Sequence, residues 1–472
     1  MNSEKPTAGT RLYALGFGLF LGLAILKFGN PVILDQKITP PASPSEFWTY
    51  AWPTHWGNWI LLPLALAGAA LGFMSKPRWP GTRRLWLLPL LWFGWQLLSA
   101  TRTMDGNLTT TTLWQLTGCV ACYFLGAMVL GRERALNWLL AGVLVAFACC
   151  LIRGINQRLF EFPQSRQLLL EGEEAGWTNI PPEMFAEMKH DRVVITTNGV
   201  DVPNPAILAK FAKGRVNGTL VYPNALAGLI LLLLPVSLVL AFNSTRRLRP
   251  PIRAAVIALT IFLGGSAFFW TGSKLGWLIA LALGGSCLFR LQWPMRLKLA
   301  TLTGILLIGL VIFAVRFHSY FAAGATSVGA RFDYWRAAVE TTVKHPLLGT
   351  GPGTFQRPYE RLKSPEAEMA RLAHNDYLEQ FSDSGFAGGI FYAAWIALSL
   401  ATIGRQAWRS GDLMIFALFA GLLGWFVQGL GEFSLYVPAL AWTAFTLLGC
   451  LLALTGNQID KDPATGYSPI RT

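Results

Sequence analysis

Residues 331–389 gather the side chains best equipped for acid–base and anion chemistry in this chain. Arg331, Arg336 and His345 lie in RFDYWRAAVETTVKHPLLGTGPGTF, and His374, Asn375 and Asp376 open AHNDYLEQFSDSGFAGG. Hydrophobic runs flank the stretch on both sides, so it is expected to fold as a structured loop at one membrane face. The other histidines are His55, His190, His318 and His345. A histidine in a surface loop is by itself unremarkable. His374 differs in being followed by an amide, a carboxylate, an amphipathic run and a new membrane helix, a setting that suits a general base at the outer face. Arg331 and Arg215 each lie beside a membrane helix on that side, and Lys274 sits in the short turn WTGSKLGW. Each cation reads equally as an interfacial anchor on lipid phosphate or as part of a clamp for a diphosphate leaving group. No grouping of His, Cys or carboxylates has zinc-ligand spacing, so no metal held by protein ligands is expected.

The elements around these residues can be read from their periodicity. Phe332, Trp335, Val339 and Val343 recur at three- and four-residue steps, which makes 331–344 helical, and Pro346 stops it. Gly349, Gly351 and Gly353 then form a tight turn. It lacks the closing Gly-Lys-Ser/Thr of a Walker loop and the strand–turn–helix setting of a dinucleotide site. It reads as a bend bringing two polar helices together, or as exposed N–H groups receiving an anion. Two further outer connections are long. Residues 31–58 are rich in Pro, Trp and Tyr and are expected at the headgroup level, with Lys27 snorkelling to the interface beside them. Residues 153–219 mix charges of both signs, and RVVITTNGVDV (192–202) reads as a hairpin on an Asn198-Gly199 primed turn.

Composition fixes the solvent. With 472 residues, 53% of them hydrophobic, and a mean hydropathy of +0.43, this is neither a disordered chain nor an ordinary soluble domain. Apolar runs fall near 12–28, 59–73, 85–100, 113–130, 135–152 and 220–242, then near 254–270, 275–289, 299–315, 386–403, 413–430 and 436–454. The reading is an all-α polytopic membrane protein of about twelve transmembrane helices, the first retained rather than cleaved. The net charge is +14, but its placement does not fit nucleic acid. Basic clusters occupy every second short connection: Lys76, Arg78, Arg83 and Arg84; Arg132 and Arg134; Arg246, Arg247, Arg249 and Arg253; Arg290, Arg296 and Lys298; Arg405 and Arg409. The positive-inside rule puts those connections and both termini in the cytoplasm, and the long loops outside. All six cysteines fall inside expected spans, so Cys119-x-x-Cys122 reads as small residues on a buried helix.

The order of GRVNGTLVYPNALAG (214–228), WTGSKLGW (270–277), residues 331–355, AHNDYLEQFSDSGFAGG (373–389) and QGLGEFSLYVPALAW (428–442) resembles that of the O-antigen ligase/polymerase family of bacterial membrane glycosyltransferases. The resemblance covers roughly residues 214–454. It implies a GT-C-like bundle in the bacterial inner membrane with its active site beneath a large structured periplasmic loop. The implied reaction moves a glycan from an undecaprenyl diphosphate carrier to an acceptor hydroxyl on a glycan, on lipid A–core or on a protein. It needs no metal, cofactor or nucleotide sugar, and it inverts if the displacement is single. By the same resemblance His374 is the base, Arg331 binds the diphosphate, Arg215 assists, and Asn375, Asp376 and Glu432 support. Lys274 stands where the family has arginine and lacks its bidentate fork. The organisation this gives is helices one to five (1–152), a periplasmic insertion (153–219), helices six to nine (220–315), the active-site loop (316–385), helices ten to twelve (386–455) and a cytoplasmic tail (456–472). A secondary transporter or a flippase for lipid-linked sugars is the competing reading. A transporter predicts midplane charges and a repeat of the two halves, and the sequence shows few such charges and no clear repeat.

Overall fold

In the computed structural model, which describes residues 8–74, 83–322 and 326–459, the chain is mostly helical, with a single two-stranded hairpin among the described residues. Lys76, Arg78 and the tail from 460 onward lie outside the described residues. Among the described residues nine helices, rather than twelve, are long and apolar enough to cross a membrane. Three shorter apolar helices, Leu85–Ala100, Lys274–Leu288 and Leu413–Gln428, fall where the sequence also points to spans. The protein is a multi-pass helical membrane protein.

The last helix, Pro438–Ile459, is the centre of the bundle, with 94% of its Pro438–Thr455 span buried. Lipid supplies no hydrophobic drive between helices, so their contact rests on shape and small residues. Ala8–Lys27 crosses Glu133–Asn156 where Gly18 meets Gly142, and a Cβ on either glycine would overlap the other helix's main chain.

Helix Glu133–Asn156 does not stop at the membrane. A π-helical turn, Gln157–Glu161, carries it into Phe162–Glu174, so the 153–219 insertion begins as a continuation of a span. The insertion has a small core of its own, Leu169, Trp177, Ile180 and Val194. The expected hairpin is present: Val194–Thr197 pairs antiparallel with Val200–Pro203, and Asn198 (φ 53°) and Gly199 (φ 78°) make the primed turn.

Lys27 corrects an expectation. It does not snorkel; it is 7% exposed, and its ammonium donates to the carbonyls of Phe47 (2.9 Å), Trp48 (2.6 Å) and Tyr50 (3.1 Å). Helix Pro44–Thr49 ends there, and a buried cation satisfies its terminal carbonyls better than headgroup water would. Phe47 O also accepts from the Trp52 indole N–H (2.9 Å), so Lys27→Met leaves two acceptors, Trp48 O and Tyr50 O, without their donor, at roughly 1–3 kcal/mol for each that stays buried. The expected result is faster proteolysis within residues 31–53, read against unchanged cleavage of the 153–219 insertion.

Candidate active site

His374 stands in the left-handed region (φ 50°), immediately before helix Asp376–Arg409. Asn375 caps that helix, its side-chain oxygen accepting from the Tyr377 and Leu378 N–H groups at 3.0 Å each. The buried Asp376 carboxylate accepts the Leu435 N–H, while its own N–H donates to the carbonyls of Gly429 (2.7 Å) and Glu432 (3.1 Å). The two residues beside His374 thus hold backbone: one starts the helix, the other ties it to the 429–437 turn.

The first turns of this helix act as a hub. Glu379 Oε2 accepts the Ala373 N–H at 2.8 Å, and Asp383 Oδ2 accepts the Gly353 N–H at 2.6 Å. Asp376, Glu379 and Asp383 recur at helical spacing, all buried, and each pins a different loop. The helix breaks at Ser384 and Gly385 (φ 69°, ψ −173°), and its membrane-crossing part follows from 386. The glycine-rich turn packs into this break. Thr350 N–H donates to Ser382 O, Gly351 N–H to Asp383 O and Phe386 N–H to Pro346 O. These N–H groups are occupied within the protein, so the turn is the bend that joins two polar helices and not an anion cradle. Gly349 (φ 63°) lies so close to Asp383 that a Cβ would overlap that residue's main chain. Gly349→Ala is expected to cost about 1–2 kcal/mol for the left-handed backbone and about 1–3 kcal/mol for overpacking. The loss is read as a lowered thermal midpoint of the purified protein.

The imidazole of His374 is braced by rings from two elements. Tyr334, on helix Thr326–Lys344, stacks on it at 5.7 Å, and Phe433 meets it edge-on at 4.7 Å. Nδ1 lies 3.7 Å from Glu432 Oε2, just beyond hydrogen-bonding distance, and has no other partner. The ring is 29% exposed, so Nε2, across the ring, is the nitrogen left to meet a substrate.

Glu432 is the convergence point. Its side chain is 1% exposed. Oε1 accepts from Arg331 Nη2 (2.6 Å) and Asn224 Nδ2 (2.7 Å), and Oε2 accepts from the Tyr222 hydroxyl (3.1 Å). Arg331 also donates through Nε to Gly431 O at 3.1 Å. Asn224 turns its oxygen to Arg215 Nη2 (2.8 Å), whose Nε donates to Thr271 O (2.7 Å). Arg215 is placed by Gly214, the left-handed end of helix Pro205–Lys213, and by Gln157, whose side chain receives the Asn217 and Gly218 N–H groups.

Burial works to raise the Glu432 pKa, but the adjoining His374 ring, the Arg331 guanidinium and the Tyr222 hydroxyl outweigh it and hold the carboxyl below its ordinary range. Burial and the Glu432 charge push the Tyr222 phenol well up, so it remains a donor. Burial lowers Arg215, against the pull of Glu432 and with the push of Arg331 and Arg316. Lys274 stands apart from the carboxylate. Its ammonium lies over the Tyr320 ring at 3.6 Å, within electrostatic reach of Arg215, Arg331 and Arg316.

The structure thus brings His374, Arg331, Arg215 and Glu432 together and leaves Lys274 at their edge. Sequence reasoning missed Tyr222, Asn224 and Arg316. The first two are uncharged residues at a helix start, with no signal separating them from any other. Arg316 stands just past the apolar run near 299–315, where a cation at the end of a span is ordinary and gives no further signal.

Among the described residues no group of three or more His, Cys, Asp or Glu side chains could hold a metal ion. Residues 259–393 match the family model described as O-antigen ligase. The match bears out the resemblance drawn from the motifs and supports a glycosyltransferase-like membrane enzyme of cell-surface polysaccharide synthesis. The matched stretch contains Lys274, Arg316, Arg331 and His374; Arg215 and Glu432 lie on either side of it. No curated protein matches the chain.

Proposed function

We propose that this protein transfers an oligo- or polysaccharide from an undecaprenyl diphosphate carrier to an acceptor hydroxyl at the periplasmic face of the bacterial inner membrane. One observation carries the reading: Arg331 and Arg215 converge, directly and through Asn224, on a buried carboxylate, Glu432, that also faces the His374 ring, with Lys274 and Arg316 within electrostatic reach. Cations in such excess suit a ligand of more than one negative charge, and an imidazole beside them suits proton removal.

His374 Nε2 takes the proton of the acceptor hydroxyl as its oxygen attacks the anomeric carbon. The bond from that carbon to the diphosphate oxygen breaks, and the electron pair leaves with the carrier diphosphate, whose charge Arg331 and Arg215 stabilise. Glu432 steadies the imidazolium at Nδ1 once the ring closes the remaining gap, and keeps Arg331 aimed. Attack from the face opposite the diphosphate inverts the configuration. No metal ion or nucleotide sugar is required, because a diphosphate is already a good leaving group. Asn375 and Asp376 support the reaction through backbone placement, and Lys274 serves as an outlying point charge.

The test follows release of carrier diphosphate by purified protein in nanodiscs supplied with a lipid-diphosphate-linked oligosaccharide and either lipid A–core, a glycan or a protein acceptor. Acceptor-dependent release with an inverted linkage by NMR is expected, and the productive acceptor identifies the subclass. Movement of a solute or of labelled carrier lipid across a sealed bilayer, with no transfer, would replace this reading by a transporter or a flippase.

A further inference from the structure

Helix Thr326–Lys344 carries two apolar faces where one suffices for packing. Its protein face is Tyr334, Ala337, Ala338, Thr341 and Thr342, all buried. Of the apolar residues whose spacing marks the helix in the sequence, Trp335 packs against the protein core, while Phe332, Val339 and Val343 lie about 140° around the cylinder from that face. Phe332 (61% exposed), Val339 (51%) and Val343 (65%) lie open, with Val328 at one end and Leu347 just beyond the other. The third side is charged: Asp333, Arg336, Glu340 and Lys344, of which Lys344 and Glu340 pair at 2.7 Å.

Chain continuity says what covers the open stripe. Only residues 323–325 separate this helix from Met295–Ala322, a span that turns Leu307, Ile308, Val311 and Val315 outward, where hydrocarbon is their solvent. A helix starting at the end of a lipid-facing span starts at the membrane surface. Protein, apolar and charged stripes in sequence around it match an element lying in the interface plane with one face in the acyl boundary. We propose that the Val328–Phe332–Val339–Val343 stripe is seated in the membrane leaflet on the side of the site, so that lipid, and not a second copy of the chain, is its partner. Arg331, between the protein face and the apolar stripe, then stands at headgroup depth. The proposal does not depend on the transfer reading.

The test uses full-length protein in nanodiscs with the exposed Cys149 and Cys287 changed to Ser; the other four cysteines are buried. An environment-sensitive fluorophore is attached to Val339→Cys, to Val343→Cys or to Glu340→Cys, and lipids carrying a nitroxide high on the acyl chain act as quencher. A blue shift and loss of emission at 339 and 343, with neither at 340, is the expected result. Aqueous, unquenched emission at all three positions overturns the proposal. So does a blue shift at 339 and 343 that appears only in discs holding two copies and escapes the lipid quencher, which would make the stripe a contact between copies.

Discussion

Replacing His374 by asparagine lowers the turnover of glycan transfer by roughly 10²–10⁴-fold, the ordinary contribution of a positioned general base, and leaves donor binding nearly unchanged. Asparagine is the informative replacement because the position sits at φ 50°, a conformation that Asn adopts more readily than other non-glycine residues. Alanine would mix loss of the base with backbone strain. Arg331 and Arg215 keep their contacts with Glu432, Asn224 and Thr271, so the diphosphate clamp survives the change. The measurement is steady-state release of carrier diphosphate, with KM for the donor read separately from kcat. A fall confined to kcat is the signature of an interaction made in the transition state. Wild-type turnover in the asparagine variant would remove His374 from the chemistry while leaving the clamp in place. A rise in donor KM with kcat intact would make it a binding residue instead.

What could be read from the sequence followed the contrast between charge and lipid. Arg215, Arg331 and His374 are visible because each is polar at the edge of an apolar run, where only function or the interface explains it. Their meeting at Glu432 was not visible, since it depends on turns at Gly214, at 349–353 and at 429–437 that join distant segments. Asn224 and Tyr222 carry no charge and sit at a helix start like many others, yet Asn224 links Arg215 to the carboxylate and Tyr222 gives that carboxylate a further donor. Lys27 shows the same limit from the other side. A lysine at the end of a span has two satisfactory outcomes, headgroup water or a carbonyl nest, and nothing local selects between them. The 331–344 helix was legible as a helix, but three of the four residues that announced it, Phe332, Val339 and Val343, lie on the open stripe. Periodicity reports that a face exists and says nothing of whether protein or lipid covers it.

Glu432→Leu is the substitution expected to disturb the site most. It removes the acceptor for Arg331, Asn224 and Tyr222 at once and leaves a guanidinium beside a buried apolar side chain. Breaking a buried ion pair from one side costs about 3–5 kcal/mol, so a lower unfolding midpoint and loss of transfer are expected together. Glu432→Gln separates the two. It keeps the shape and much of the hydrogen bonding, so the fold suffers less, but it withdraws the charge that steadies an imidazolium at His374 and anchors Arg331. Because the folded-state pKa of Glu432 is depressed, the stability its charge supplies is present in full above the ordinary carboxyl value of about 4.3. It is lost as pH falls through the lower folded value. The stability gap between wild type and the glutamine variant should therefore hold steady through neutral pH and close on strong acidification, where both side chains are neutral. A gap independent of pH down to that range would mean that Glu432 acts by shape alone. In that case the pairing with Arg331 would be a consequence of the fold, and the aim of the clamp would have to come from the Gly431 carbonyl, which Arg331 also holds.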